Sequence, residues 1–444
     1  MKRFLGILAT LMFSISLCIF VGGCAFGSEC SFIKDTGDIS DLPDSAIVSQ
    51  NVTIGYNTAS DSERVELSMV DAVAKVERSS VAVYTGTGGA GSGVLIEVSE
   101  NGASSPIKTH VYIITNHHVI SSKGVINVVI PDTDYSYENE DYIFAGLIGE
   151  SNLTPYYVYD TDRVMDTAIT LVGSDMESDV AVLKLDLSKR ALSGNKLSYD
   201  NLVTAKIPPA TYSARRGETV FAIGNPTGSL PGTVSSGIIS YLEREVSVEN
   251  VGSMKLMQID VPTNPGSSGG GLYNLYGELI GITNSGLEEK HGLNNAIPIS
   301  VIGNDGIDNG FVNVARSLIA TCTYSEDDGN FGYITGRKEK LGFTVTKKEE
   351  GGKEYVNVVS ITANSIASTS GLKVNDVITK LKINNTEYTI STYEQFTSLM
   401  GSIKIGDKIV LTVPRVSVVN QQNVTIEFTI RQYIFCDTGI YNAT

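Results

Sequence analysis

From Val81 onward the chain runs in short apolar stretches, often β-branched, each closed off by Gly, Pro, Asn or Ser. Gly93-Val94-Leu95-Ile96, Val111-Tyr112-Ile113-Ile114, Val180-Ala181-Val182-Leu183, Val220-Phe221-Ala222-Ile223 and Glu278-Leu279-Ile280-Gly281-Ile282 are examples. Branching at Cβ stiffens the side chain and suits a pleated backbone, while glycine and proline end each run. The pattern predicts many short strands, and so a barrel or sandwich. Glycine supplies 44 of the 444 residues, in keeping with many turns. A chain of that length is too long for one ordinary core, so two or three domains are expected.

Two helical patterns and a polar break organise the rest. Leu67, Val70, Val73 and Ala74 fall at helical spacing, which predicts a short amphipathic helix where the folded part opens. Residues 325–330 (Ser-Glu-Asp-Asp-Gly-Asn) form the break, and a smaller unit follows. That unit carries strand patterns and two helical ones. The first, Asn364 to Ser370, is stopped by Gly371; the second, Thr392 to Met400, puts Tyr393, Phe396, Leu399 and Met400 on one face.

The N-terminus has the order of an export signal. Lys2 and Arg3 precede a run from Phe4 to Val21 with no charge, and Val21-Gly22-Gly23-Cys24 follows. It resembles a bacterial lipoprotein signal, in which Cys24 is lipidated and becomes the first residue. An uncleaved membrane anchor is the alternative, since a run of this length almost spans a bilayer. Either reading places the remaining chain outside the cytoplasm. Residues 1–23 are then signal and residues 24–65, rich in Ser, Asp, Thr, Asn and Gly, a flexible tether. Loss of residues 1–23 removes Lys2 and Arg3 and no acid, which takes the net charge from −16 to about −18. So acidic a chain is a poor partner for nucleic acid. Once Cys18 has left with the signal and Cys24 carries lipid, Cys30, Cys322 and Cys436 allow at most one disulfide, and their spacing suits no metal site.

Three segments carry the chemistry: Thr115-Asn116-His117-His118-Val119, Ser178-Asp179-Val180-Ala181-Val182-Leu183, and Asn264-Pro265-Gly266-Ser267-Ser268-Gly269-Gly270. A serine hydroxyl attacks a carbonyl only when a neutral imidazole accepts its proton. A buried carboxylate must hold that imidazole's tautomer and stabilise the imidazolium. The order His, Asp, Ser is that of chymotrypsin rather than of subtilisin or the α/β-hydrolases. Glycines beside Ser268 let the N–H groups of Gly266 and Ser268 converge on one point, where a developing oxyanion would be held. Asp166 and Asp175 rival Asp179 for the orienting role.

The flanks of these segments resemble the HtrA/Deg family of proteases. Ile114-Thr115-Asn116-His117-His118-Val119-Ile120 is similar to that family's histidine segment. Phe221-Ala222-Ile223-Gly224-Asn225-Pro226, followed by Thr233-Val234-Ser235-Ser236-Gly237-Ile238-Ile239-Ser240, is similar to its barrel segment before the serine. The Ser268 loop resembles its serine loop, with Ser267 in place of the usual Asn, and Asn295-Ala296-Ile297-Pro298 its closing segment. The likeness covers roughly residues 66–430.

The resemblance implies a mostly β protein: a chymotrypsin-like pair of six-stranded β-barrels over residues 66–318, with the active site in the cleft between them. It carries the base onto His118, the orienting acid onto Asp179 and the nucleophile onto Ser268. His117 stands where the family usually has Asn and receives no role; as the neighbour of the base on a strand, it is expected to face the opposite way. The spacing of 61 residues between His118 and Asp179 is long for the family, and the excess lies around residues 131–166, rich in Tyr, Asp and Glu. Pro262 stands where trypsin has the acid that attracts Lys or Arg, so a basic cut site is not expected.

After a linker at 319–334, residues 335–432 resemble a small α+β PDZ domain. Leu341-Gly342-Phe343 matches the loop that binds a peptide's C-terminal carboxylate. Gly371-Leu372-Lys373-Val374-Asn375-Asp376-Val377-Ile378 matches the Gly-Leu stretch, with Asn375 in place of Gly. Residues 433–444 form a tail. The reading that follows is a lipid-anchored serine endopeptidase on the extracytoplasmic face of a bacterial membrane. It acts on unfolded or exposed polypeptide, needs no cofactor or metal, and binds peptide C-termini through the PDZ domain; a homotrimer is an option that the resemblance to the family raises and that the residues themselves leave open. The rival is a pseudoprotease scaffold that only binds partner C-termini.

Overall fold

A computed structural model describes residues 51–429 apart from positions 61, 86–88, 101–102, 104, 107, 121–125, 132–141, 146–168, 189–197, 249–251, 285–293, 304–305, 325–331, 333, 335–336, 338–340, 362–365, 405 and 417–420. The signal, Cys24, Cys30, Cys436, Asp166, most of the 131–166 insertion and the tail lie outside the described residues.

Seven strands make the first sheet: β1 (Ser80–Thr85), β2 (Ala90–Ile96), β3 (His110–Thr115), β4 (Ile126–Pro131), β5 (Tyr142–Ala145), β6 (Ile169–Asp175) and β7 (Val180–Asp186). Their order is β5-β4-β1-β2-β3-β7-β6. The sheet curls on itself: Val128 and Ile130 of β4 share one core with Ile169 and Leu171 of β6, which lies at the far end of the sheet. The family resemblance implies six strands here. The seventh, β5, comes from the insertion and pairs onto β4 from Val128↔Ala145 to Pro131↔Tyr142.

The second sheet comprises β8 (Thr219–Gly224), β9 (Thr233–Val248), β10 (Gly252–Ile259), β11 (Gly271–Asn274), β12 (Leu279–Asn284) and β13 (Asn294–Pro298). It closes into a six-stranded barrel when β11 returns to β8, with Ile223 opposite Gly271.

The strands facing the cleft are buried on both sides, which explains their unbroken apolar runs. Leu95, Ile113, Ala181 and Leu183 fill the first barrel, and Val220, Ala222, Leu272 and Ile280 the second. Their sequence neighbours Val94, Ile96, Ile114, Val180 and Val182 meet Phe221, Ile223, Tyr273, Leu279 and Ile282 in a third core between the barrels. The period of two is thus preserved with apolar residues in both phases. Phe221 stacks on Tyr273 with centroids 5.5 Å apart, and deleting such a ring costs about 3–5 kcal/mol.

Helices seal this core. α1 (Met69–Val76) is capped by Ser68, whose side chain accepts from the Asp71 N–H. It buries Ala72 and Val76, while Val70 is 77% exposed. Leu67 and Val73 pack on the shared core as expected, but Val70 does not: the docked edge is rotated toward Ala72 and Val76, because the barrels decide which edge docks. α2 (His117–Ile120) is a single turn after β3, and α3 (Phe311–Tyr324) lays Phe311, Val314, Ala315, Leu318 and Ile319 on the shared core.

The C-terminal unit has its own core, built around Val356, Leu381, Phe396, Leu411 and Phe428. β14 (Phe343–Glu350), β15 (Lys353–Ile361) and β16 (Val377–Ile378) form one sheet. β17 (Lys380–Ile383), β18 (Thr386–Thr389), β19 (Lys408–Val416) and β20 (Gln421–Thr429) form another, ordered β18-β17-β19-β20. Of the two predicted helices, α4 spans Ile366–Thr369 and α5 spans Tyr393–Ser402, with Thr392 as its N-cap. Asn375 has a φ of 73°, a left-handed conformation that asparagine tolerates better than most side chains, so it can stand where glycine is usual.

Candidate active site

The register of β3 on β7 builds the centre of the site. Thr115 lies opposite Ala181 and Ile114 opposite Val182, so the residues just after β3 meet those just before β7. His118 Nδ1 sits 2.7 Å from Asp179 Oδ2, and the His118 N–H donates to Oδ1 at 2.9 Å. Asn284, the last residue of β12 in the second barrel, donates from Nδ2 to the same Oδ2 at 2.9 Å. The Asp179 carbonyl accepts from the His117 N–H at 3.1 Å and from Asn116 Nδ2 at 2.9 Å. A buried carboxylate needs such donors, and Asp179 is only 3% exposed. Its φ of 55° is a left-handed conformation, held by this surrounding set of bonds.

Burial disfavours the charged form of His118, but the hydrogen bond and the charge of Asp179 outweigh it. The imidazole therefore titrates above its ordinary value of 6.5. Its bond to Asp179 keeps a proton on Nδ1 and leaves Nε2 as the acceptor.

His117 departs from expectation. The strand ends at Thr115, so the two histidines lie on a helical turn rather than on alternating faces of a strand. His117 is buried, with Nδ1 2.5 Å from Ser174 Oγ. Burial, with a small push from His118 and against the pull of Asp179, lowers its pKa to about 4. Between that value and 6.5 the unfolded chain binds a proton here that the folded chain refuses, so stability falls as the pH drops through this window. The whole difference is about 3 kcal/mol. His117→Asn should flatten the dependence of Tm on pH between roughly 6.5 and 4. An unchanged slope in thermal melts would contradict a neutral, buried His117. Truncation to Ala is not a silent change, because it leaves a cavity and takes the partner of Ser174.

The serine loop is stapled to the first barrel by Ser92 of β2. The Ser92 N–H donates to the Ser268 carbonyl at 2.7 Å. Its hydroxyl donates to the Gly266 carbonyl at 2.8 Å and accepts from the Asn225 N–H at 2.7 Å. Gly91 packs so closely on Val119, the residue after His118, that no Cβ fits, and its other neighbour is the Ser268 carbonyl. These contacts bring the Ser268 backbone beside the turn that carries His118.

The Pro265 carbonyl accepts from the Thr227 N–H at 2.6 Å. Because a trans peptide is planar, the Gly266 N–H points the other way, and it has no protein acceptor among the described residues. Gly266 has a φ of 98°, and a Cβ there would meet the Asn225 carbonyl and two backbone nitrogens, so only glycine fits. A cavity of about 220 Å³ adjoins the loop, lined in part by Ile223, Thr233, Pro262, Asn264, Ser267 and Thr283.

Asp175 is not brought to His118; its Oδ2 engages Ser178 and Arg337. Among the described residues no group of three or more His, Cys, Asp or Glu side chains is placed to hold a metal ion. Asn284 and Ser92 escaped the sequence reading, because nothing in their flanks marks them and only the register delivers them.

In the C-terminal unit, Gly342 has a φ of 77°, and the Leu341 carbonyl accepts from the Ala367 N–H at 2.9 Å. Phe343 opens β14 opposite Ile361 and stacks on Phe428. Among the described residues β14 lies at the edge of its sheet and pairs with β15 alone.

A buried carboxylate on a cleft histidine, beside a glycine-shaped serine loop between two barrels, is the arrangement of a trypsin-like peptidase domain. The family model of that description matches residues 91–282. A serine endoprotease DegS from Haemophilus influenzae is 36% identical over 266 residues, 58% of this chain and 66% of that protein. The serine protease Do-like HtrB of Bacillus subtilis is 30% identical, over 71% of this chain and 59% of its own length. The periplasmic serine endoprotease DegP of Salmonella typhimurium is 30% identical, over 73% and 54%. The chain belongs to the HtrA/Deg family of trypsin-like serine proteases. It spans between 54% and 66% of the length of these relatives.

Proposed function

We propose that the protein is a serine endopeptidase that hydrolyses peptide bonds in unfolded or exposed polypeptide segments outside the cytoplasm, in protein quality control or processing. The observation that carries this is the 2.7 Å contact of His118 Nδ1 with Asp179 Oδ2; the Ser268 carbonyl held by the Ser92 N–H supports it. Ser268 Oγ attacks the scissile carbonyl while His118 Nε2 takes its proton. The Gly266 and Ser268 N–H groups receive the charge that develops on the carbonyl oxygen. Collapse of that intermediate passes the proton from His118 to the leaving amine and leaves an acyl-Ser268 ester. Water then repeats the sequence: His118 takes its proton, the acyl group leaves as an acid, and Ser268 regains its hydrogen. Asp179 holds the tautomer and stabilises the imidazolium. Among the described residues no acid lines the cavity beside Ser267, which favours a small or aliphatic side chain at the cut site over a basic one. Cleavage of unfolded casein by the purified protein, lost in Ser268→Ala, tests the reading; casein cleaved equally by both would refute it.

Residues 335–432 are read as a PDZ domain that takes up peptides with a free, apolar C-terminus. Such a peptide adds as a strand to the open edge of β14, its carboxylate received by the N–H groups of Leu341, Gly342 and Phe343. Amidating the peptide removes that charge and should weaken binding by at least about tenfold, read by calorimetry. Equal affinity of free and amidated peptides would rule the loop out.

Cys24 is read as the lipid-carrying residue, and its diacylglycerol as the membrane anchor, since a single acyl chain holds only marginally. Cys24→Ala should then yield released protein or an unprocessed precursor. Membrane-bound protein with an unmodified Cys24, seen by mass spectrometry, would contradict it. Assembly as a homotrimer completes the reading, and a sedimentation mass of one chain would exclude it.

A further inference from the structure

Arg337 lies beyond the segment 91–282 that the family model matches and takes no part in the chemistry above. Its side chain is 1% exposed, an environment in which a charge must be paired. Nη2 lies 3.0 Å from Asp175 Oδ2 and 2.5 Å from Asn309 Oδ1, and Nη1 lies 2.5 Å from Glu177 Oε2. Both acids belong to one turn: β6 ends at Asp175 and β7 begins at Val180. Asp175 Oδ2 also accepts the Ser178 N–H at 2.9 Å and the Ser178 hydroxyl. The next residue is Asp179.

Gly332 and Ile334, shortly before Arg337, are themselves docked on the protease core. The Gly332 N–H donates to the Val172 carbonyl at 2.5 Å, and Gly332 bridges Gly173 in parallel beside β6. Gly332 rests so closely on the Leu318 carbonyl of α3 that no side chain could be added, and Ile334 is buried in the core shared by the barrels.

We propose that Arg337 is a positioning residue for the catalytic acid: it grips the 175–179 turn at two carboxylates and so fixes Asp179 against His118. The inference rests on the endopeptidase reading above. Asp179 closes this turn in a left-handed backbone conformation, one that aspartate tolerates better than most side chains, so the placement of the turn sets where its carboxylate lies. The other oxygen of Asp175 has no hydrogen-bond partner among the described residues, so Arg337 supplies the compensating charge. A planar guanidinium reaches three acceptors in fixed directions, which an ammonium on a flexible stem cannot reproduce. The clamp is also delivered from outside the protease strands, by a residue that follows α3 in the chain.

The test compares wild type, Arg337→Met and Arg337→Lys in the full chain, with Ser268→Ala as the blank, assayed well below each measured Tm. A residue that merely stabilises the fold would lower Tm and leave turnover by the folded protein intact. A positioning residue lowers kcat itself. Arg337→Met should lose about 10- to 100-fold in kcat on a peptide substrate. KM should stay within about threefold. The acid limb of the kcat/KM profile should move down by about half a pH unit or more, as His118 loses part of its anionic partner. Arg337→Lys should fall between the two. A folded Arg337→Met with wild-type kcat and an unmoved acid limb would overturn the proposal. Should that variant not fold, Arg337→Lys decides: a reduced kcat with the same direction of limb shift supports the clamp, and wild-type values overturn it. A wild type no more active than Ser268→Ala would instead defeat the endopeptidase reading.

Discussion

Ser268→Ala should leave a folded protein whose kcat on casein or a peptide is lower by about 10⁴- to 10⁶-fold. The size of the loss follows from what the hydroxyl does. With no nucleophile, His118 has nothing to deprotonate, and only the N–H groups of the serine loop remain to polarise a carbonyl. His118→Ala should cost a similar factor, and the double variant little more, because the two act as one unit. Folding is not expected to suffer much, since the Ser268 carbonyl, which accepts from the Ser92 N–H and ties the loop to the barrel, is kept. Circular dichroism and casein cleavage on the same preparations decide the matter. A folded Ser268→Ala protein that still cleaves would remove Ser268 from the mechanism, and an inactive wild type would favour the scaffold reading.

Asp179→Asn should cost about 10⁴-fold in kcat. Oδ1 of the carboxylate accepts the His118 N–H, and Oδ2 faces two donors, His118 Nδ1 and Asn284 Nδ2. If the amide oxygen keeps the first bond, the new NH₂ group confronts both donors. His118 then relaxes by moving its proton to Nε2, the atom that must accept from Ser268. The charge that raises the imidazole's pKa goes as well, so any residual activity should have its acid limb shifted to lower pH than in the wild type. A variant with wild-type turnover, or with an acid limb moved upward, would show that Asp179 does not orient His118.

Much of this was legible before any coordinates. The strands around Val94, Ile113, Val182 and Ile223 announce themselves because both of their faces are buried, which leaves no polar residue to blur the run. The flanks of His118, Asp179 and Ser268 are equally telling, since each motif spans a strand end and the turn beside it. What stayed hidden depends on three-dimensional register. Asn284 is an ordinary polar residue at a strand end until β12 brings it to Asp179. Ser92 resembles any serine among glycines until its hydroxyl is seen bridging Gly266 and Asn225. Arg337 sits in a stretch with no motif at all, and Asp175 reads as a rival acid until its partner is known. His117 lies on a helical turn that starts two residues past the end of the strand at Thr115, and nothing in the Asn116-His117-His118 segment marks the switch from strand to turn. The edge of α1 that docks is set by the barrels: Ala72 and Val76 are buried and Met69 packs on the core, while Val70 is left to solvent.

The most direct measurement is covalent labelling of the active serine. The protein is treated with a peptidyl phosphonate, digested and mapped by mass spectrometry, while casein cleavage is followed in parallel. The expected result is one adduct, on Ser268, that accumulates in step with the loss of cleavage and does not form in His118→Ala. Casein cleavage that survives complete modification of Ser268, or an adduct on another serine with Ser268 untouched, would contradict the assignment.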